Sequence, residues 1–219
     1  MAIDPRKKQK QLEKKAARRK AVHAARKTTH VGGMWSSAKQ LAVIESSPIH
    51  ECLMPAGLFE IGIGNVIVSR KLPSGDIGAS FFLVDVFCLG VKNAFFQVMT
   101  ETEYLRQVGR LGGEEELGSV DPSCARKLVE NAKGYAKQIG FDPHPDYRSA
   151  RKIFGDIDAA ICPTDFTFGK DGMPFFVSGP NDTPAKCRKI IGTLSRRFGP
   201  DGFHFLMVGA EEPTGSSPK

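Results

Sequence analysis

The 219-residue chain carries 31 Lys and Arg against 24 Asp and Glu, and 41% of it is apolar, enough for one sizeable domain with a buried core or for a domain plus an arm. It contains no apolar run of the roughly 18 residues that a spanning helix needs. Its basic start is not followed by the apolar stretch and small-residue cleavage site of a secretory signal, so neither a membrane span nor secretion is expected.

The charge is unevenly spread. Residues 1–27 hold eleven of the 31 bases and two of the 24 acids, leaving 20 bases and 22 acids for the rest of the chain. The expectation is a near-neutral body wearing a basic arm. A transit peptide shares the scarcity of acids, but this segment is dominated by Lys and has no Ser. The five cysteines, Cys52, Cys88, Cys124, Cys162 and Cys187, are odd in number and scattered, with no C-x-x-C. That pattern predicts free thiols in a reducing cytoplasm and a cytoplasmic location.

In chain order, Asp4-Pro5 reads as a cap and first helical position, followed by the helix-compatible Leu12, Ala16, Ala17, Ala21, Ala24 and Ala25. Lacking large apolar side chains, this arm has no face to bury, and its helix depends on a partner that screens its cations. Residues 28–33 read as a hinge. A short helix is predicted over Trp35–Glu45, then strands over Ile49–Met54, Ile61–Leu72 and Ile77–Leu89. Pro73-Ser74-Gly75-Asp76 makes the last two a hairpin. Phe81 to Phe87 is apolar with little alternation, the pattern of a strand buried on both faces. Asn93–Met99 fits either a fourth strand or a helix.

Beyond Glu101 the period becomes helical. Helices are predicted over Glu101–Leu111, over Asp121–Ile139 with Asp121-Pro122 as its start, over Pro145–Phe154 and over Thr183–Phe198. Short strands are predicted at Phe166–Phe168 and Pro174–Ser178, flanking the turn Gly169–Gly172, and at Phe203–Val208. Strands first and helices later predict an α+β fold: a mostly antiparallel sheet with helices packed on it, preceded by a basic, partly helical N-terminal arm. The expected divisions are 1–33 for arm and hinge, 34–209 for a single domain, and 210–219 for a disordered tail.

The leading functional expectation rests on the arm. Lys7, Lys8, Lys10, Lys14, Lys15, Arg18, Arg19, Lys20, Arg26 and Lys27 are the cations expected to neutralise phosphates of RNA, DNA or the ribosome. The competing explanation is a solubilising extension on a protein-interaction module. A membrane-surface helix fits poorly, with only Leu12 and Val22 for its apolar face.

The second expectation is a metal-dependent nuclease or phosphoesterase. Asp85 sits in an apolar strand, where a carboxylate is costly unless paired or ligating metal. Asp142, His144 and Asp146, with Asp156 and Asp158 nearby, supply the hard ligands that Mg²⁺ chemistry needs. Capping and turn formation explain the same residues without catalysis, and that explanation is preferred. Cys88 with His144 as thiol and base, and His50-x-Cys52 as half a zinc site, are weaker arrangements, because Cys88 lies in the most apolar run and no second ligand pair completes a tetrahedral set. Gly62-x-Gly64 opens a strand instead of a helix, so it is read as a strand entrance and not a dinucleotide motif. Phe81, Phe82 and Phe87 are read as core before base-stacking platforms. The glycine-rich stretch before Thr183 leads into a helix start that suits an anion. No cofactor is assigned by the sequence.

Overall fold

The computed structural model describes residues 38–112, 116–179 and 182–207. The basic arm, Trp35 and the C-terminal tail lie outside the described residues. The chain divides into the units Met1–Leu41 and Ala42–Lys219, and the description below concerns the second.

The fold is α+β, built on a five-stranded antiparallel sheet whose strands lie in the order Gly90–Met99, Ile77–Asp85, Ile63–Lys71, Ile49–Pro55 and Leu117–Ser119. A helix, α1 (Ala38–Ser46), leads into β1 (Ile49–Pro55). One helical turn, α2 (Leu58–Ile61), precedes β2 (Ile63–Lys71), and the hairpin continues through β3 (Ile77–Asp85) to β4 (Gly90–Met99). The turn at 73–76 closes as its residues require, with the Leu72 amide donating to Asp76 O and the Gly75 amide to Leu72 O. Asn93–Met99, ambiguous by pattern, is strand, paired along β3 in register Phe81↔Phe95 and Ile77↔Met99. Next come α3 (Glu101–Gly112), β5 (Leu117–Ser119), α4 (Pro122–Gln138), α5 (Tyr147–Ala150), 3-10 turns at Arg151–Phe154 and Ala159–Ile161, β6 (Phe175–Val177), α6 (Pro184–Phe198) and β7 (His204–Leu206).

The sheet is covered on both faces, which is why β3 shows no alternation. Odd-numbered positions such as Ile67, Ile77 and Phe81 form one cluster with Tyr104 of α3, while the adjacent Phe82 stacks on Phe154 at 5.4 Å and meets Tyr147 edge-on at 6.2 Å. A separate cluster joins Cys88, Leu89, Ile139, Phe176 and Phe203 to Cys187, Ile190 and Leu194 of α6.

Two expected elements differ. Pro145–Phe154 is not one helix but α5 followed by a 3-10 turn: the sheet takes the Ala150 carbonyl, which a continuous helix would offer to the Phe154 amide, and holds the end of the turn. The Ser80 hydroxyl donates to Ala150 O at 2.8 Å, and the buried Arg70 guanidinium donates to Ile153 O at 2.7 Å and Phe154 O at 2.8 Å. Phe166–Phe168 is not a strand. Its rings pack instead, Phe166 on Phe59 and Phe168 on Tyr135, and the Gly169 amide bonds Val86 O. Consequently β6 has no hairpin partner and pairs in parallel with β7 across the α6 crossover.

The expectation of five free thiols is also corrected: Cys124 and Cys162, 38 residues apart, form a disulfide, leaving Cys52, Cys88 and Cys187 free and buried. Scattered spacing concealed the pair because α4 and the 3-10 turn at Ala159–Ile161 meet only in the folded chain.

Helix α4 approaches the sheet closely at Gly90, which opens β4 with φ +63; a Cβ there would stand 2.6 Å from both Ala132 O and the Ala136 Cβ of α4. Gly90→Ala therefore combines backbone strain with overpacking and is expected to cost about 2–4 kcal/mol. Gly75→Ala, with φ +88 but open space around the added carbon, should cost about 1–2 kcal/mol. Urea unfolding of both variants checks this, and equal losses would show that the α4 approach is not limiting.

Candidate functional site: a cationic pocket on the α4 face

Helix α4 starts where Asp121 caps it, its Oδ1 accepting from the Ser123 amide at 2.8 Å, with Pro122 in the first turn. Cys124, Ala125, Leu128, Val129, Ala132 and Ala136 are buried. The 3.6-residue period leaves Arg126, Glu130, Lys133 and Lys137 off that face. The chain returns beneath them through residues 141–151. The His144 amide fastens this return to Val91 O at 2.9 Å, and Arg70 and Ser80 fasten its far end.

Between helix and return lies a cavity of about 300 Å³. Four cations line it, Lys133 and Lys137 from α4 with Arg148 and Arg151 from the return, together with Asp142, Pro143 and Tyr147. Asp142 pairs with Lys137 at 2.5 Å, and Arg151 lies 4.0 Å from Glu130, which also holds Arg126. Among the described residues, neither Lys133 nor Arg148 has an ion-pair partner. Lys133 Nζ stands over the Tyr147 ring, 6.0 Å from its centroid. Tyr147 is buried, and among the described residues its hydroxyl has no hydrogen-bond partner. Burial raises its pKa.

The acidic residues singled out from the sequence are placed as follows. Asp85 is 5% exposed and ends β3. Its Oδ1 accepts the amides of Phe87 at 3.0 Å and Cys88 at 2.8 Å, shaping the connection to β4. Asp142 lies at the pocket rim on Lys137. His144 and Asp146 come together: His144 Nδ1 accepts the Asp146 amide at 3.3 Å and stands 3.9 Å from its carboxylate. Asp156 reaches Arg70 at 3.3 Å from an exposed position, and Asp158 caps the turn at Ala160. Among the described residues, no three His, Cys, Asp or Glu side chains gather to hold a metal ion.

Cys88 is buried, and burial raises its thiol pKa, the direction that suppresses a nucleophile. Burial likewise pushes Cys52 up to about 12, and His50 meets Tyr104 edge-on. Gly62 follows the α2 turn, where a Cβ would strike the Phe87 ring at 2.0 Å, and β2 opens at the next residue. Phe81, Phe82 and Phe87 are buried. The start of α6 is capped by the Thr183 hydroxyl, which accepts the Lys186 amide at 3.3 Å, while the adjacent Asp182 accepts the Gly179 amide and pairs with Lys186 at 2.6 Å and Lys92 at 3.6 Å. Burial opposes ionisation of Asp182, but those donors together hold its pKa low.

Lys133, Lys137, Arg148 and Arg151 were not singled out from the sequence. The four-residue spacing of the lysines on the polar side of a well-marked helix was a usable signal. The arginines had none, since only the folded return brings them to α4. Comparison with protein-family models, curated proteins and solved structures finds no match for this chain.

Burial is the largest influence on Asp85 and outweighs the Cys88 amide, Lys92 and the Leu89 and Phe87 amides, lifting its pKa to about 6. Between about pH 4 and 6 the folded carboxyl keeps a proton that the unfolded chain has lost, so its contribution to stability falls as pH rises through that window. Asp85→Asn keeps an acceptor for the two amides and removes the titration. Its stability relative to the parent should rise by an amount on the order of 2–3 kcal/mol between pH 4 and 7. Urea unfolding across that range checks this, and parallel pH profiles would refute the assignment.

Proposed function

We propose that this protein binds nucleic acid, or a nucleic-acid-rich particle such as the ribosome, through its basic arm. The observation that carries the reading is the concentration of eleven cations and two acids in residues 1–27, ahead of a chain whose remaining bases and acids nearly balance. Such a segment neutralises phosphates and releases their counterions, giving binding that is insensitive to sequence and steeply dependent on salt. The body adds support of a general kind: its α4 face gathers four more cations around one pocket. The hydrolase reading has less behind it, since Asp85 is buried in a capping role and the described residues assemble no metal-binding group.

In the helix that its sequence predicts, the arm's cations point all round, so about half engage one ligand at a time. Log affinity for a generic RNA or DNA should therefore fall with log salt at a slope of about −4 to −6. Replacing Lys14, Lys15, Arg18 and Arg19 with Gln should flatten that slope by up to about three, at roughly 0.7–0.9 for each phosphate no longer neutralised. Fluorescence anisotropy at several salt concentrations measures both. Weak, salt-insensitive binding by parent and variant alike would make the segment a solubilising extension.

A further inference from the structure

We infer that the cavity between α4 and the return segment 141–151 is a binding site for a compact phosphate group, distinct from the arm and independent of its reading. Two structural elements each bring two cations to one space of about 300 Å³. Lys133 and Lys137 are neighbours one turn apart on α4, and Arg148 and Arg151 converge from the return. The single acid in the lining, Asp142, is taken by Lys137. Lys133 and Arg148 are thus left without a counter-charge among the described residues. Like charges collected this way repel one another, and a bound anion converts that repulsion into attraction.

The kind of anion follows from the lining. Ammonium groups supply point charges, and guanidinium groups supply forks that match pairs of phosphate oxygens. A nucleobase has nothing to stack on: the one aromatic residue lining the cavity, Tyr147, is 5% exposed and already covered by Lys133. Pro143 is the one lining residue whose side chain carries neither a charge nor an aromatic ring. The volume, at the small end for ligand cavities, has room for a phosphate or diphosphate. The frame is fixed in advance, since Arg70 and Ser80 anchor the segment carrying both arginines from inside the sheet and His144 ties its start to β4. The phosphate group could come from free diphosphate or from the phosphorylated end of a nucleic-acid strand, and the experiment separates these sources.

The test is isothermal titration of the full chain with inorganic pyrophosphate. Binding is expected to weaken at least tenfold in both Lys133→Gln and Arg148→Gln and to be unchanged in Arg110→Gln, which removes a charge from α3 on the opposite sheet face. Asp142→Asn, by freeing Lys137, should tighten binding several-fold, a gain that damage to the fold does not imitate. The variant with Lys14, Lys15, Arg18 and Arg19 changed to Gln should bind pyrophosphate like the parent, so failure of the arm reading and failure of this one are distinguishable. With that arm variant, a preference for a 5′-phosphorylated over a 5′-hydroxyl oligonucleotide, abolished by pyrophosphate, assigns the strand end; pyrophosphate binding without that preference assigns the free anion. The proposal is overturned by the absence of pyrophosphate binding at millimolar concentration, by affinity that neither Lys133→Gln nor Arg148→Gln lowers, or by loss of binding on neutralising the arm. Should either pocket variant fail to fold, the other and Asp142→Asn decide.

Discussion

A buried guanidinium holds this structure together across its layers. Arg70 lies near the end of β2 and is 3% exposed, yet its donors reach the carbonyls of Ser47, Ile153 and Phe154. One side chain thereby fixes the exit of α1, the sheet and the 3-10 turn that follows α5. Arginine suits this position because its donors form a rigid planar fork whose geometry matches several carbonyls at once, and because its charge is weakly hydrated. Asp156 contributes little to neutralising it, since that carboxylate is largely in water. The compensation comes from the carbonyl dipoles. This constraint reaches the pocket directly, because the stretch Arg70 pins begins with Arg151, and Ser80 holds Ala150 just before it.

Hydrogen-bond demand also explains where pattern reading succeeded and where it failed. The hairpin at residues 73–76, α3, α4 and α6 were legible because their signals are local: turn residues, a capping Asp121 or Thr183, and a long apolar period. Residues 145–154 carry the same helical signals and still break after Ala150, whose carbonyl, which a continuous helix would offer to the Phe154 amide, accepts from Ser80 instead. Leu117–Ser119 could not be seen at all. Three residues have no period, and they are a strand only because β1 offers an edge at Leu53–Pro55. The Cys124–Cys162 pair was hidden for a related reason, its spacing being set by packing and not by any local motif.

For the candidate sites, burial made the difference. Asp85 is a carboxylate in an apolar strand, and burial raises its pKa. What resolves the cost is a turn, with backbone amides of the β3–β4 connection directed at the carboxylate, so the residue serves the chain's path. The same logic applies to Asp182, just before α6, whose carboxylate accepts the Gly179 amide and pairs with two lysines. Both cases show how an acidic residue in an unusual setting is satisfied by backbone donors before any ligand is required.

The cations behave differently, and here the overall charge misleads. Outside residues 1–27 the bases and acids are nearly equal in number, which from composition suggested a body without strong electrostatic character. Net charge, however, constrains only the sum, while the field in a cavity depends on which side chains the fold brings within a few ångströms. In the lining of the α4 pocket the fold sets four bases against one acid, with Glu130 behind Arg151, and it does so from two elements that are more than ten residues apart in sequence and locked to the sheet by buried polar bonds. Carboxylates elsewhere are spent on caps and turns, as at Asp121, Asp158 and Asp182. A near-neutral body can therefore present a local positive field as well defined as that of an openly basic segment, and here the field is set in a frame that the sheet holds rigid.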